Sequence, residues 1–278
     1  MPEDISLHKI LIDKGNGPHD ISVLKSPINL IIHTGNVANW HNLKSRKAQV
    51  PANELFQSLQ TTLLKWNANS SNDNEEKCCE ALDDYYNNDE ERPLVTITVK
   101  ILLHKFKTDF IESAVNTTLD LLSVTYFDTL ILALPPLEES EESFQQVVFP
   151  YWEVMEKLNR SGIAKVISSC DLDQQKLQSL IEKASIPPMI NQVNLTSCCH
   201  MPQDLVAFAK ENNIILHTHG DQQVMLGEIA VDNLIKSADP TNNLLWETNW
   251  VVRYAVVIKC RGVIKSKGYI ASLSSKHI

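Results

Sequence analysis

The residues from Leu94 to Leu103 read LVTITVKILL, and Lys100 is the one charged side chain among them. So apolar and β-branched a run predicts a buried strand. An ammonium group there needs an acceptor, or it stops being charged. Lys100 is therefore the first residue whose placement could do chemistry, either in acid–base work or as a lysine simply paired with some acceptor. A second group lies further on, in Cys198-Cys199-His200 and His217-x-His219. Alternate residues on a strand share a face, and cysteine and histidine bind zinc. No C-x-x-C occurs and no carboxylate spacing supports a site, so no metal is expected. The other four cysteines are the Cys78-Cys79 pair and the separate Cys170 and Cys260. All six read as thiols, since a large domain without a secretory signal needs no staples. Cys198-Cys199 has two readings, packing thiols or a redox or partner-contact pair. No G-x-S-x-G elbow, G-x-G-x-x-G turn or Walker loop exists.

These residues must be placed by the elements around them. Ile186 to Asp221 reads as strand, loop, helix, strand: Met189–Leu195 is apolar, Leu205, Phe208 and Ala209 share a helical face, and Ile214–Leu216 is apolar again. Two buried strands joined by a helix make a βαβ unit, which requires a parallel sheet. Similar alternation precedes it. Strands are predicted at Ile28–His33, Leu94–Leu103, Thr129–Leu134 and Ile163–Ser168. Helices are predicted from Pro51, over Phe110–Ser123, from Pro150, and after Asp171, which is placed to cap with Gln174 three residues on. A helix over Gln222–Ile235, a helix carrying Trp250 and Arg253-Tyr254, and a strand near Cys260–Ile264 complete the pattern. About seven alternations at this length predict an α/β chain, an eight-stranded (β/α)8 barrel rather than an open doubly wound sheet.

The chain has 278 residues and a net charge of -9, enough length for one large barrel domain. An irregular arm over residues 1–27 and an acidic, Asn-rich insertion over 68–92 are expected to lie outside its core. That insertion has nine acidic and two basic residues, whereas Arg253 to the C-terminus has six basic and none acidic. The overall acidity argues against nucleic acid, and no apolar run is long enough to span a membrane. With no signal pattern at the N-terminus, a cytoplasmic location is expected.

Three features resemble the aldo-keto reductase superfamily: Asn191-Gln192-Val193 after a proline-led loop, Trp152-Glu153-x-Met155-Glu156-x-Leu158 followed by Gly162–Ile167, and Arg253-Tyr254 followed by Lys265-Ser266. The resemblance covers about residues 94–270 and implies a barrel of that type, without the usual C-terminal helix and loop. Those reductases need a tyrosine acid, a lysine, an aspartate and a histidine. Lys100 matches the lysine. Asp128 opens the D-x-x-x-x-H pattern, but Ala133 stands where the histidine belongs, and no D-[ST]-A-x-x-Y segment exists. If Ile28–Asn36 is the second strand, His33 and Ala38 replace the aspartate and tyrosine; if it is the first, the segment has no equivalent. Cys170-Asp171 replaces the Ser-Asn pair that holds the nicotinamide amide, and His219 replaces the stacking tyrosine. Gln192, Lys265 and Ser266 match cofactor-contacting positions. Within the superfamily, HTGNVANW, NQVNLTSCC, MPQDLVAFAK and RGVIKSKGYI resemble a non-catalytic branch, the regulatory subunits of a ligase. That implies no catalytic residues, no cofactor, and a heterodimer with the ligase's catalytic subunit. Cys198, Cys199, Arg261, Lys265 and Lys267 are the expected contact residues. An active NADPH-dependent reductase and a dinucleotide-binding sensor are the alternatives.

Overall fold

A computed structural model describes residues 29–40, 50–69, 90–136, 144–196 and 200–276. The expected arm over 1–27, most of the acidic insertion and the Cys78-Cys79 and Cys198-Cys199 pairs fall outside the described residues. The two ends of the insertion do not: a helix runs through Asn69, and Arg92 is buried against Asp128.

Eight strands form one sheet in the order β1-β8-β7-β2-β3-β4-β5-β6. The strands are β1 (Asn29–His33), β2 (Val95–Leu103), β3 (Phe127–Ala133), β4 (Ala164–Cys170), β5 (Ile190–Asn194), β6 (Ile215–His219), β7 (Leu245–Ile258) and β8 (Val263–Lys276). From β2 to β6 every ladder is parallel. The crossovers carry α2 (Asp109–Leu122), α3 (Phe144–Arg160), α4 (Gln174–Lys183) and α5 (Gln203–Glu211). This is the β/α repeat that the sequence predicts, with α1 (Pro51–Asn69) and α6 (Glu228–Ala238) flanking it. The ladder runs unbroken from β1 to β6, and β1 and β6 are its two ends among the described residues.

The final third departs from the expectation. Trp250 and Arg253-Tyr254 lie on strand β7, not on a helix, and β7 and β8 form an antiparallel hairpin that pairs β2 on one side and β1 on the other. The reason is local. Val251, Val252, Val256 and Val257 are stiff at χ1 and favour a pleated surface, and Thr248–Val252 is buried without a break, which erases the two-residue alternation in that stretch. Cys260 belongs to the turn rather than to a strand. Arg261 and Gly262 both donate their amides to the Ile258 carbonyl, with Gly262 at φ 62°. Two helix starts also move. Pro150 lies inside α3, and Asp173, not Asp171, caps α4 by accepting from the Lys176 amide.

Two apolar clusters hold these layers. One lies between the outer face of β2–β4 and β7 and helices α2–α5, and includes Trp152, Phe127, Met155 and Trp250. The other joins β1, β7 and β8 to α1 and α6 through Ile32, Leu55, Leu59, Val231, Leu234 and Val251. At Gly268 a side chain would collide with the Gly35 carbonyl and the Tyr254 ring. That clearance lets the Tyr254 hydroxyl donate to the Gly35 carbonyl at 2.8 Å.

Candidate functional site at the strand ends

Lys100 sits on the inner face of β2, and its side chain is only 3% exposed. Its ammonium donates to Asp221 Oδ2 at 2.7 Å and to Gln192 Oε1 at 2.9 Å. The acceptor that the sequence requires is therefore Asp221, two residues past β6. Arg253 lies directly opposite Lys100 in the β2–β7 ladder, and its guanidinium forks onto both oxygens of the same carboxylate. One carboxylate, 2% exposed, thus serves two cations from two strands. Burial by itself would raise the Asp221 pKa. Hydrogen bonding from His219 and the charges of Arg253 and Lys100 more than reverse this and hold it far below the usual carboxylate range.

A second cluster adjoins the first. Cys170 closes β4, His219 closes β6, and Asp171 follows Cys170 in a left-handed conformation at φ 58°. A residue with a Cβ pays for that conformation in steric energy, so its surroundings must hold it there. The hold is visible: Asp171 accepts from the Asn194 amide at 2.9 Å, and its own amide donates to the Gln192 carbonyl at 2.7 Å. His219 Nε2 lies 2.9 Å from Asp171 Oδ1 and 3.3 Å from Cys170 Sγ, while Nδ1 lies 3.3 Å from Asp221 Oδ2. Burial would lower the imidazole pKa. Hydrogen bonds to Asp171, Asp221 and Cys170 outweigh it and carry the pKa up to about 10. The Asp221 amide donates to Nδ1 at 3.2 Å, which leaves Nε2 as the nitrogen that faces Asp171 and Cys170.

Two cavities flank this charge centre. One of about 220 Å³ is lined by Leu102, Ala133, Trp152, Cys170, Asp171 and His219 among others, and one of about 350 Å³ by Glu54, Gln192, Arg253, Lys267 and Tyr269. Lys100 lines both.

The remaining predicted residues scatter. Ala133 ends β3 at the rim of the smaller cavity. Ser266 is buried in β8, away from any surface a phosphate could approach, and its hydroxyl has no hydrogen-bond partner among the described residues. Lys265 faces Glu91 at 3.4 Å, and Lys267 is paired with Glu54 at 2.9 Å. Arg261 is exposed in the β7–β8 turn. The proposed contact residues Cys198 and Cys199 lie outside the described residues. His217 and His200 are exposed, so the imagined histidine pair does not share the cluster of His219. His33 on β1 points instead to the Tyr254 hydroxyl at 3.0 Å, and Ala38 lies in a short 3₁₀ turn capped by Asn36. The sequence reading missed Asp221 and Arg253 as partners of Lys100. The signal was present: a buried lysine demands a carboxylate, and Gly220-Asp221 directly follows the strand that carries His217-x-His219.

With the geometry in place, the chain can be compared with known proteins. The sequence model of the aldo/keto reductase family matches residues 69–220. The glutamate–cysteine ligase regulatory subunits of Mus musculus and Homo sapiens are each 34% identical over 249 residues, covering 87% of this chain and 91% of theirs. An NADPH-dependent codeinone reductase of Papaver somniferum is 28% identical over 132 residues, 44% of this chain and 41% of its own. Lys100, Gln192, Cys170 and His219 all lie within the part that the family model spans. The chain belongs to the aldo/keto reductase family and, within it, to the group of the glutamate–cysteine ligase regulatory subunits.

Proposed function

We propose that this chain is the regulatory subunit of a glutamate–cysteine ligase, bound as a heterodimer to the catalytic subunit and acting in glutathione synthesis in the cytoplasm. The observation that carries the reading is the 34% identity to the mammalian regulatory subunits across 91% of their length. The ligase chemistry belongs to the partner, so the effect is allosteric: this chain binds one conformational state of the catalytic subunit better than another. The resemblance implies better use of glutamate and weaker feedback inhibition by glutathione. None of the described helices is long and apolar enough to cross a membrane.

The same reading makes the chain non-catalytic. Ala133 offers no hydrogen-bonding side chain to polarise a carbonyl, where the reductases place a histidine. The nearby tyrosines donate elsewhere, Tyr254 to the Gly35 carbonyl and Tyr269 to Glu54. Burial, then the Glu54 charge, pushes the Tyr269 hydroxyl well above its ordinary pKa, opposite to what a proton donor needs. Co-purification with the catalytic subunit, followed by ligase kinetics with and without this chain, tests the reading. A stable complex with a lower KM for glutamate and weaker glutathione inhibition is expected. Failure to form a complex, or steady NADPH oxidation by the isolated chain with aldehydes, would overturn it.

A further inference from the structure

We propose that Cys170, Asp171 and His219 form a three-ligand site for a borderline-soft divalent cation, zinc foremost, with the fourth position open to the adjoining cavity. This departs from the sequence expectation of no metal, and it uses none of the residues first considered except His219. One thiol, one imidazole and one carboxylate bring their ligand atoms within 4.8 Å of one another. Sγ lies 3.3 Å from Nε2, and Asp171 presents Oδ1 at 2.9 Å from Nε2 and its other oxygen, Oδ2, at 3.3 Å from Sγ. Tetrahedral zinc with bonds of about 2.0–2.3 Å places its ligands about 3.3–3.6 Å apart, so a few tenths of an ångström of opening admits the ion.

Three further features fit. Asp171 is the residue held at φ 58°, with the Asn194 amide fixing its carboxylate. The other ring nitrogen of His219 is held by Asp221, whose amide donates to Nδ1 at 3.2 Å, so the ring is fixed with Nε2 facing Cys170 and Asp171. Cys170 and His219 end two parallel strands, rigid elements that need not reorganise. The smaller cavity, lined by all three residues, leaves room for a water or a small ligand on the ion. On binding, the thiol and imidazole protons leave to solvent as the Zn–S and Zn–N bonds form.

The test uses the full chain and Zn²⁺ in competition with a chromophoric chelator, with Co²⁺ as the spectroscopic probe. One ion per chain and a thiolate-to-cobalt charge-transfer band are expected. The band should persist when Cys78, Cys79, Cys198 and Cys199 are all changed to Ser, and vanish in Cys170→Ser. His219→Gln and Asp171→Asn should each weaken zinc binding by at least the roughly 10- to 100-fold that loss of a supporting group costs. Cys170→Ser changes one buried atom, and circular dichroism checks that it folds. Absence of the band in the wild-type chain, or its survival in Cys170→Ser, would overturn the site.

Discussion

The parallel β2–β6 half and the antiparallel half built from β1, β7 and β8 divide the work. The parallel half has the β/α order, the motifs at Trp152–Leu158 and Asn191–Val193, and the Cys170–Asp171–His219 cluster. The antiparallel half contributes one side chain to that centre, Arg253, and otherwise a core. They meet at Asp221, where Lys100 from the first half and Arg253 from the second share a carboxylate. The difference shows how a fold keeps its frame while its centre changes use: the backbone is set by apolar ladders, and the chemistry by a few ions at their seam.

That contrast can be broken at several points. Asp221→Ala should have the largest effect, because it strands two cations near the seam; about 3–5 kcal/mol of stability is expected to go, read by urea unfolding. A loss under about 1 kcal/mol would mean that the halves are not joined there. Trp250→Ala in the antiparallel half and Trp152→Ala beside the parallel strands should cost about 3–5 kcal/mol each, both being buried in the same cluster. A large inequality in thermal melts would show that one half carries the core. Tyr254→Phe removes the donor to Gly35 and should cost about 1–2 kcal/mol in the same unfolding assay.

A pH titration of His33→Gln probes the antiparallel half without mutating the seam. Burial lowers the His33 pKa to about 4 from 6.5, so the unfolded chain binds its proton more readily. Its contribution is therefore whole above pH 6.5 and declines as pH falls through about 4. His104, lowered to about 4 by burial and then by the Lys105 charge, acts in the same window. His33→Gln should flatten the acid limb of a stability–pH curve with little change at pH 7; an unaltered limb would remove His33 from the account. The smallest effect belongs to the surface: Lys157→Ala breaks an exposed pair with Glu112 and should shift stability by about 0.2–1 kcal/mol, fading in high salt.

The parallel half was legible because its helices and strands alternate at distinct periods, and Lys100 announced itself by being charged in an apolar run. The hairpin was not, since Thr248–Val252 of β7 is buried without a break and masks the two-residue period there. Asp171 reads as a helix cap because Gln174 stands three residues on, the spacing of a capping box; the cap fell to Asp173, whose extended backbone suits it. The carboxylate released from capping turned to His219. For Asp221 the signal was incomplete: a buried lysine calls for a carboxylate, but the partners lie 121 and 32 residues away in sequence, and no local pattern says which carboxylate it is.

The facing of Lys100 and Arg253 across the β2–β7 ladder also has a kinetic side. Two like charges on opposite rungs repel until a third group neutralises them. The ladder between β2 and β7 can therefore close without penalty only after the β6 end has delivered Asp221. Assembly of the hairpin onto the parallel strands becomes conditional on the strand order being correct, and refolding of Asp221→Asn should slow relative to Tyr254→Phe when the two are compared at equal stability.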